Sequence, residues 1–272
     1  MHKPPFILSP LSLCCYVLFL VVLAIALPAM AQAAHYHAFA DDRTLWGIPR
    51  AMDVLSNFPL MAAGVAIAWC LWRSLALGTL RAPLPIWWWL SVLAAAGFAA
   101  TAVASSLYHL HPDDAGVFWD RLAMALVFAA IVGLAVQQAL DDTSASIMTV
   151  ITLAGASIAL SVWRHTGNFT PWIIVQAGGM LLLLALAMQP ARRQAAILSI
   201  ALTPILCWYA LAKLAEWGDH FFFTLTAGYL SGHSLKHVLA ACAAWPLLQM
   251  LYNAKAPEVN TQAHHQPTDQ HP

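Results

Sequence analysis

Apolar residues run along this chain in blocks long enough to cross a bilayer, broken by short polar punctuation. Runs able to bridge a hydrocarbon layer of about 30 Å fall near 7–33, 52–72, 85–110, 117–138, 146–163, 171–189, 194–213 and 232–252. The segments between them hold nearly all the charge, the proline and the paired aspartates: RAPLP, HPDD, LDDTS and QPARRQ. No internal repeat of the solenoid kind is visible. The pattern predicts an all-α membrane protein. Residues 34–252 form a seven-transmembrane-helix bundle, 1–33 an extra N-terminal hydrophobic helix, and 253–272 a polar, disordered tail. His264 and His265 in that tail read as solvated rather than metal-binding.

The first apolar run has two readings. MHKPP, an apolar stretch and then ALPAMAQ resembles a secretory signal with a small-x-small site at Ala29 and Ala31. The apolar part is long for a signal and nearly long enough to span, which favours an uncleaved anchor. Either reading puts residues 34–51 on the non-cytoplasmic side. Arg73, Arg81, Arg192, Arg193 and Lys255 then fall inside, and Arg43, Arg50, Arg164 and Lys213 outside. The positive-inside bias is modest and leans the same way. The expected setting is a bacterial inner membrane, with the functional site toward the periplasm.

Composition agrees with this solvent. Hydrophobic residues make up 61% of the 272 and charged ones 9%, against roughly 25% charged in a soluble domain. The formal net charge is zero, so no nucleic-acid partner is expected. Cys14, Cys15, Cys70, Cys207 and Cys242 all lie in apolar runs without CxxC spacing and read as small buried hydrophobes. Trp87–Trp89 read as an interfacial aromatic belt.

Against that background, polar side chains at membrane depth are costly and therefore informative. The stretch ASSLYHLHPDD ends one span, with Ser105 and His109 on one helical face. VFWDRLAMAL begins the next, with Asp120 near its first turn. SGHSLKH opens the last, with His233 and His237 stacked one turn apart. All three groups lie at the same ends of their helices, so distant segments arrive at one depth. Three imidazoles with an open fourth position make a catalytic zinc arrangement, which polarises a carbonyl and activates water. A carboxylate such as Asp120 can take a proton and hand it to a leaving nitrogen, and Ser105 can support a developing oxyanion. Blander readings compete with this one: His109 as an interfacial histidine, Asp120 with Arg121 as an ion pair, His233 and His237 as polar caps. His111, beside Pro112, reads as a loop residue.

The order S-x3-H, then an Asp eleven residues after that His, then H-x3-H opening the last span, resembles the alkaline ceramidase family. That family belongs to a wider group of seven-span intramembrane hydrolases which also includes the adiponectin and progestin receptors. MDVLSNFPLMAAG at 52–64, with Ser56, Asn57 and Pro59, is similar to the family's first span. GFAATAVASSLYH and GHSLKH are similar to its second and seventh, and the likeness covers about 41–252. The resemblance implies zinc on His109, His233 and His237, water activation by Asp120 and support from Ser105.

Two departures matter. Eukaryotic members carry an acidic, Trp-containing loop that binds regulatory calcium, with a glutamate just before the first span. Here the loop is HAFADDRTLWGIPR and Arg50 stands near that glutamate's place. Asp41 and Asp42 alone make a poor cage for Ca2+, which takes six to eight oxygens. Lys236 replaces the family's usual aromatic before the last histidine, altering headgroup contacts.

The expected activity is a zinc-dependent amidohydrolase that takes its lipid amide substrate from the bilayer. It would cleave the N-acyl amide of ceramide-like lipids to fatty acid and sphingoid base. A receptor-like zinc protein without turnover and a b-type haem protein using His109 with His233 or His237 are the rivals.

Overall fold

The computed structural model describes residues 8–189 and 199–254. The expectations for Arg192, Arg193 and Lys255, and for His264 and His265 in the tail, lie outside the described residues. Among the described residues every regular element is helical: α1 (Pro10–Ala26), α2 (Ala51–Leu55), α3 (Phe58–Ala76), α4 (Ile86–Leu110), α5 (Asp114–Ala139), α6 (Asp142–Thr166), α7 (Thr170–Ala187), α8 (Leu202–Trp217), α9 (Asp219–Leu225), α10 (Gly232–Cys242) and α11 (Trp245–Asn253).

The polar punctuation acts as caps. Asp113 accepts the Gly116 N–H at 2.6 Å and opens α5; Asp141 accepts the Ser144 N–H at 2.8 Å and opens α6. Each satisfies an N–H that the first helical turn leaves orphaned. Gly167, in the left-handed region at φ 73°, closes α6. Two apolar runs that read as continuous are each interrupted. The first breaks at Ser56–Asn57 and the last at Ala243–Ala244. Pro59 and Pro246 follow the breaks; neither has an N–H for the carbonyl four residues back, so the hydrogen-bond ladder loses a rung. The short α9 has no counterpart in the apolar pattern.

Among the described residues, five stretches are long and apolar enough to cross a membrane: Ala51–Ala76, Ile86–Leu110, Asp114–Ala139, Asp142–Thr166 and Thr170–Ala187. The apolar α1 is shorter, at 17 residues, and α8 has 16. Consecutive helices pack as neighbours: α3 on α4, α4 on α5, α5 on α6, α6 on α7 and α7 on α8. The return of α10 against both α8 and α3 closes these segments into a ring. A large apolar core, including Ile67, Leu90, Val132, Leu183 and Leu247, fills one half of the bundle. A smaller cluster around Tyr108, Leu160, Trp163 and Trp172 backs the other half. Outward faces are apolar too, with Val65, Val150 and Leu184 exposed, the surface that lipid requires. On those faces sit Cys14, Cys15 and Cys207, exposed rather than buried. An apolar cysteine in a membrane bundle need not point inward, because both directions are apolar.

Close approach of α4 and α5 depends on Gly97. A methyl there would stand 2.7 Å from the Val127 backbone nitrogen and 2.9 Å from Leu126 Cβ. Gly97→Ala should therefore lower stability by about 1–3 kcal/mol, read as a reduced thermal midpoint in detergent. Gly155→Ala is the control, since its methyl would meet only Val175 Cγ2 at 3.8 Å. Equal midpoints for the two variants would contradict this packing.

Candidate metal centre

Of the three segments that the sequence placed at one depth, the two that carry histidines meet. His109 lies in the last turn of α4, and His233 and His237 lie in the first two turns of α10. All three are buried, and one nitrogen from each lies within 4.8 Å of the others. The His109 and His233 Nε2 atoms are 3.2 Å apart. Ring centroids are 4.7 Å apart for His109–His233, 5.2 Å for His109–His237 and 5.0 Å for His233–His237.

This spacing fits a shared ion. Two bonds of 2.0–2.1 Å at a tetrahedral angle separate their nitrogens by about 3.3–3.4 Å, close to the 3.2 Å observed between His109 and His233. Desolvated neutral imidazoles are suitable ligands, and each keeps a lone pair for metal only if its other nitrogen carries the proton. His237 meets that condition: its Nδ1 lies 2.8 Å from Ser56 Oγ, whose hydroxyl donates to the Asp53 carbonyl at 3.0 Å. With Nδ1–H donating to Ser56, Nε2 is left free to ligate, at 3.4 Å from Ser105 Oγ. His109 Nδ1 has no hydrogen-bond partner among the described residues. The group can hold a metal ion.

Two buried carboxylates fix the frame. Asp53, fully buried in α2, accepts from Ser231 Oγ at 3.1 Å and from Ser234 Oγ at 2.6 Å. Ser231 is itself the N-cap of α10, accepting the Ser234 N–H at 2.9 Å. Asp219 accepts the His233 N–H on one oxygen at 2.8 Å and the Ala40 N–H on the other at 2.9 Å. Gly232 makes that approach possible, because any side chain there would run into the Ala215 carbonyl and the Asp219 backbone.

Asp120 and Ser105 share this interior. Both are buried, at 7% and 2% exposure, and Ser105 Oγ lies 3.4 Å from His237 Nε2. Asp120 Oδ1 has no hydrogen-bond partner among the described residues. Arg121 is not its ion-pair mate. The guanidinium turns into an aromatic cage, 4.6 Å from the Tyr36 ring centre, 4.9 Å from Trp163 and 4.5 Å from Phe169, because neighbouring helical positions diverge by about 100°. His111 caps α4 and is exposed.

The segment before α2 covers the group. Phe39 stands edge-on to His109 at 4.7 Å and to His233 at 4.6 Å. His37 anchors beside it on Tyr108 at 2.8 Å and on Asp114 at 3.1 Å. Both Asp41 oxygens are engaged by Arg43, at 2.8 and 2.6 Å, and this bond holds the guanidinium's pKa above its ordinary value. Asp41 is thus committed to Arg43.

Sequence reasoning missed Phe39, Asp53, Asp219, and the roles of Ser56 and Ser234. The one available signal was Asp53-x-x-Ser56, which puts an acid and a hydroxyl on one face of a membrane helix. Comparisons with protein-family models, curated proteins and solved structures find no match.

Because Ser56 meets His237 at Nδ1, away from the nitrogen left free to ligate, Ser56→Ala should weaken affinity for a divalent metal ion by roughly 10–100-fold, measured by competition with a chelator. Ser106→Ala removes a hydroxyl bonded only to the Val54 carbonyl, at 3.3 Å, and should leave affinity unchanged. Equal affinities in the two variants would show that Ser56 does not set the tautomer.

Proposed function

We propose that the chain is an intramembrane zinc amidohydrolase that cleaves the N-acyl amide of a ceramide-like lipid. The observation that carries this reading is three buried imidazoles with a buried hydroxyl, Ser105, 3.4 Å from His237 Nε2, and a buried carboxylate, Asp120, in a chain with five membrane-length helices among its described residues. The resemblance of its S-x3-H, Asp and H-x3-H series to the alkaline ceramidases supports it. So does the ring of packed segments, with α8 and the broken α10–α11 as the remaining two of seven spans.

Zinc, when bound, supplies Lewis acidity toward a carbonyl and makes water acidic enough to attack near neutral pH. His109, His233 and His237 hold it while keeping their rings neutral. Asp120 accepts the proton of the attacking water and delivers it to the departing nitrogen, the step an amide needs most because a free amide anion is a poor leaving group. Ser105, 3.4 Å from His237 Nε2, donates toward the developing oxyanion. Phe39 covers the aqueous mouth and limits water at the rings, so a lipid enters laterally from the bilayer. The outer, periplasmic leaflet is the proposed source. The three rings stand too close to one another to admit a flat macrocycle, which weighs against haem.

Asp120→Asn preserves shape and hydrogen bonding but removes the base. It should retain zinc, while release of fatty acid from a panel of N-acyl sphingoid lipids falls by roughly 10²–10⁴-fold. Cleavage at the wild-type rate would refute the mechanism. A zinc-replete wild type that cleaves no N-acyl lipid would favour the receptor-like reading.

A further inference from the structure

The last turn of α8 and the first turn of α10 enclose a chain of charge that the reaction above does not use. Lys213 Nζ bonds one oxygen of Glu216 at 2.6 Å, and Lys236 Nζ bonds the other at 3.1 Å. Lys236 continues to His233 Nε2 at 3.0 Å. The side chains of Lys236 and Glu216 are 18% and 20% exposed, and that of Lys213 is 38%. Both Glu216 oxygens are spent, so two ammonium groups share one carboxylate.

Other charges surround this chain without neutralising it by contact. Asp120 from α5 and Asp53 from α2 both feel Lys236, but neither forms an ion pair with it among the described residues. Arg121 is withdrawn into its cage of rings. An ammonium has three donors; Lys236 commits two of them and Lys213 one. An unspent donor on a cation as buried as Lys236, at 18% exposure, is costly unless something anionic or solvent meets it. A metal ion on the His233 lone pair would free a further Lys236 hydrogen and add positive charge beside it.

We propose that Lys236, backed by Lys213 and Glu216, is the subsite for an anionic group, carboxylate or phosphate, on the amine half of the substrate. This rests on the amidohydrolase reading. The acyl half offers only hydrocarbon, so charge belongs to the headgroup. Lys236 Nζ stands 3.0 Å from the ring of a candidate metal ligand, so the anionic group lies only a few bonds from the amide nitrogen. The lipids cleaved best are then acidic N-acyl amides rather than neutral ceramides.

The test uses zinc-loaded full-length protein and three substrates with the same acyl chain, bearing a neutral diol, a carboxylate or a phosphate on the amine side. Wild type should favour one acidic substrate over the neutral one by about tenfold or more in kcat/KM, mainly through KM. Lys236→Met should bring the ratio near one, and Lys236→Arg should restore it. Which acidic substrate gains distinguishes carboxylate from phosphate. A second arm needs no turnover: thermal stabilisation by N-dodecanoylglycine or dodecyl phosphate, against a neutral dodecanamide, in wild type and Lys236→Met. If nothing is cleaved, the amidohydrolase reading fails, and Lys236-dependent stabilisation by an anionic amphiphile still supports the subsite. No preference in wild type, or a preference that survives Lys236→Met, overturns it. Lys236-dependent inhibition by free fatty acid without headgroup preference also overturns it, because the group would then hold the product.

Discussion

The first turn of α10 carries backbone N–H groups that no helical carbonyl can answer, and inside a bundle with an apolar interior the protein itself must answer them. Ser231 takes one, at Ser234, and Asp219 takes another, at His233. Asp53 then grips the hydroxyls of Ser231 and Ser234. These bonds set the height and rotation of α10, hence where the His233 and His237 rings stand relative to His109. Two buried acids on different elements thus solve a backbone problem and a ligand-positioning problem together. Removing one would expose a buried donor to an apolar surrounding, a cost of about 1–3 kcal/mol, while letting two ligands drift.

The same bonds tie the covering segment to the centre. Asp219 holds Ala40 and His233 on its two oxygens, so Phe39 and the ring beneath it share one anchor. Ser56 links His237 to the backbone of α2 at the point where Pro59 interrupts the ladder. The break makes that hydroxyl's neighbourhood irregular enough for the side chain to reach across to α10. Irregular backbone is tolerated here because it is enclosed by protein.

Helix placement was legible because an apolar surrounding punishes polarity: apolar runs between polar punctuation marked α4 to α7 to within a few residues, and α2 with α3 as one run. The juxtaposition of His109, His233 and His237 was legible for the same reason, since polar side chains at matching ends of apolar helices have few other places to go. What surrounds them was not. Asp219 follows Gly218 and reads as an ordinary loop acid, Asp53 as a helix-start acid and Phe39 as one more loop aromatic. Their importance comes from packing across 14 to 181 residues of separation, which no local pattern encodes. The rival ion pair of Asp120 with Arg121 fails for the converse reason, since adjacency in the chain implies divergence on a helix. Pro59 and Pro246 were visible, but whether a proline kinks or breaks a span depends on neighbours that can satisfy the freed carbonyl.

On the proposed function, three imidazoles, and no sulfur or carboxylate, meet one zinc ion inside the bundle. Zinc K-edge X-ray absorption on purified, metal-replete protein reads that shell directly. The expected spectrum has four nitrogen or oxygen neighbours at about 2.0–2.1 Å, with the outer-shell scattering of three imidazole rings. A sulfur neighbour near 2.3 Å, or scattering from fewer than three imidazoles, would contradict it.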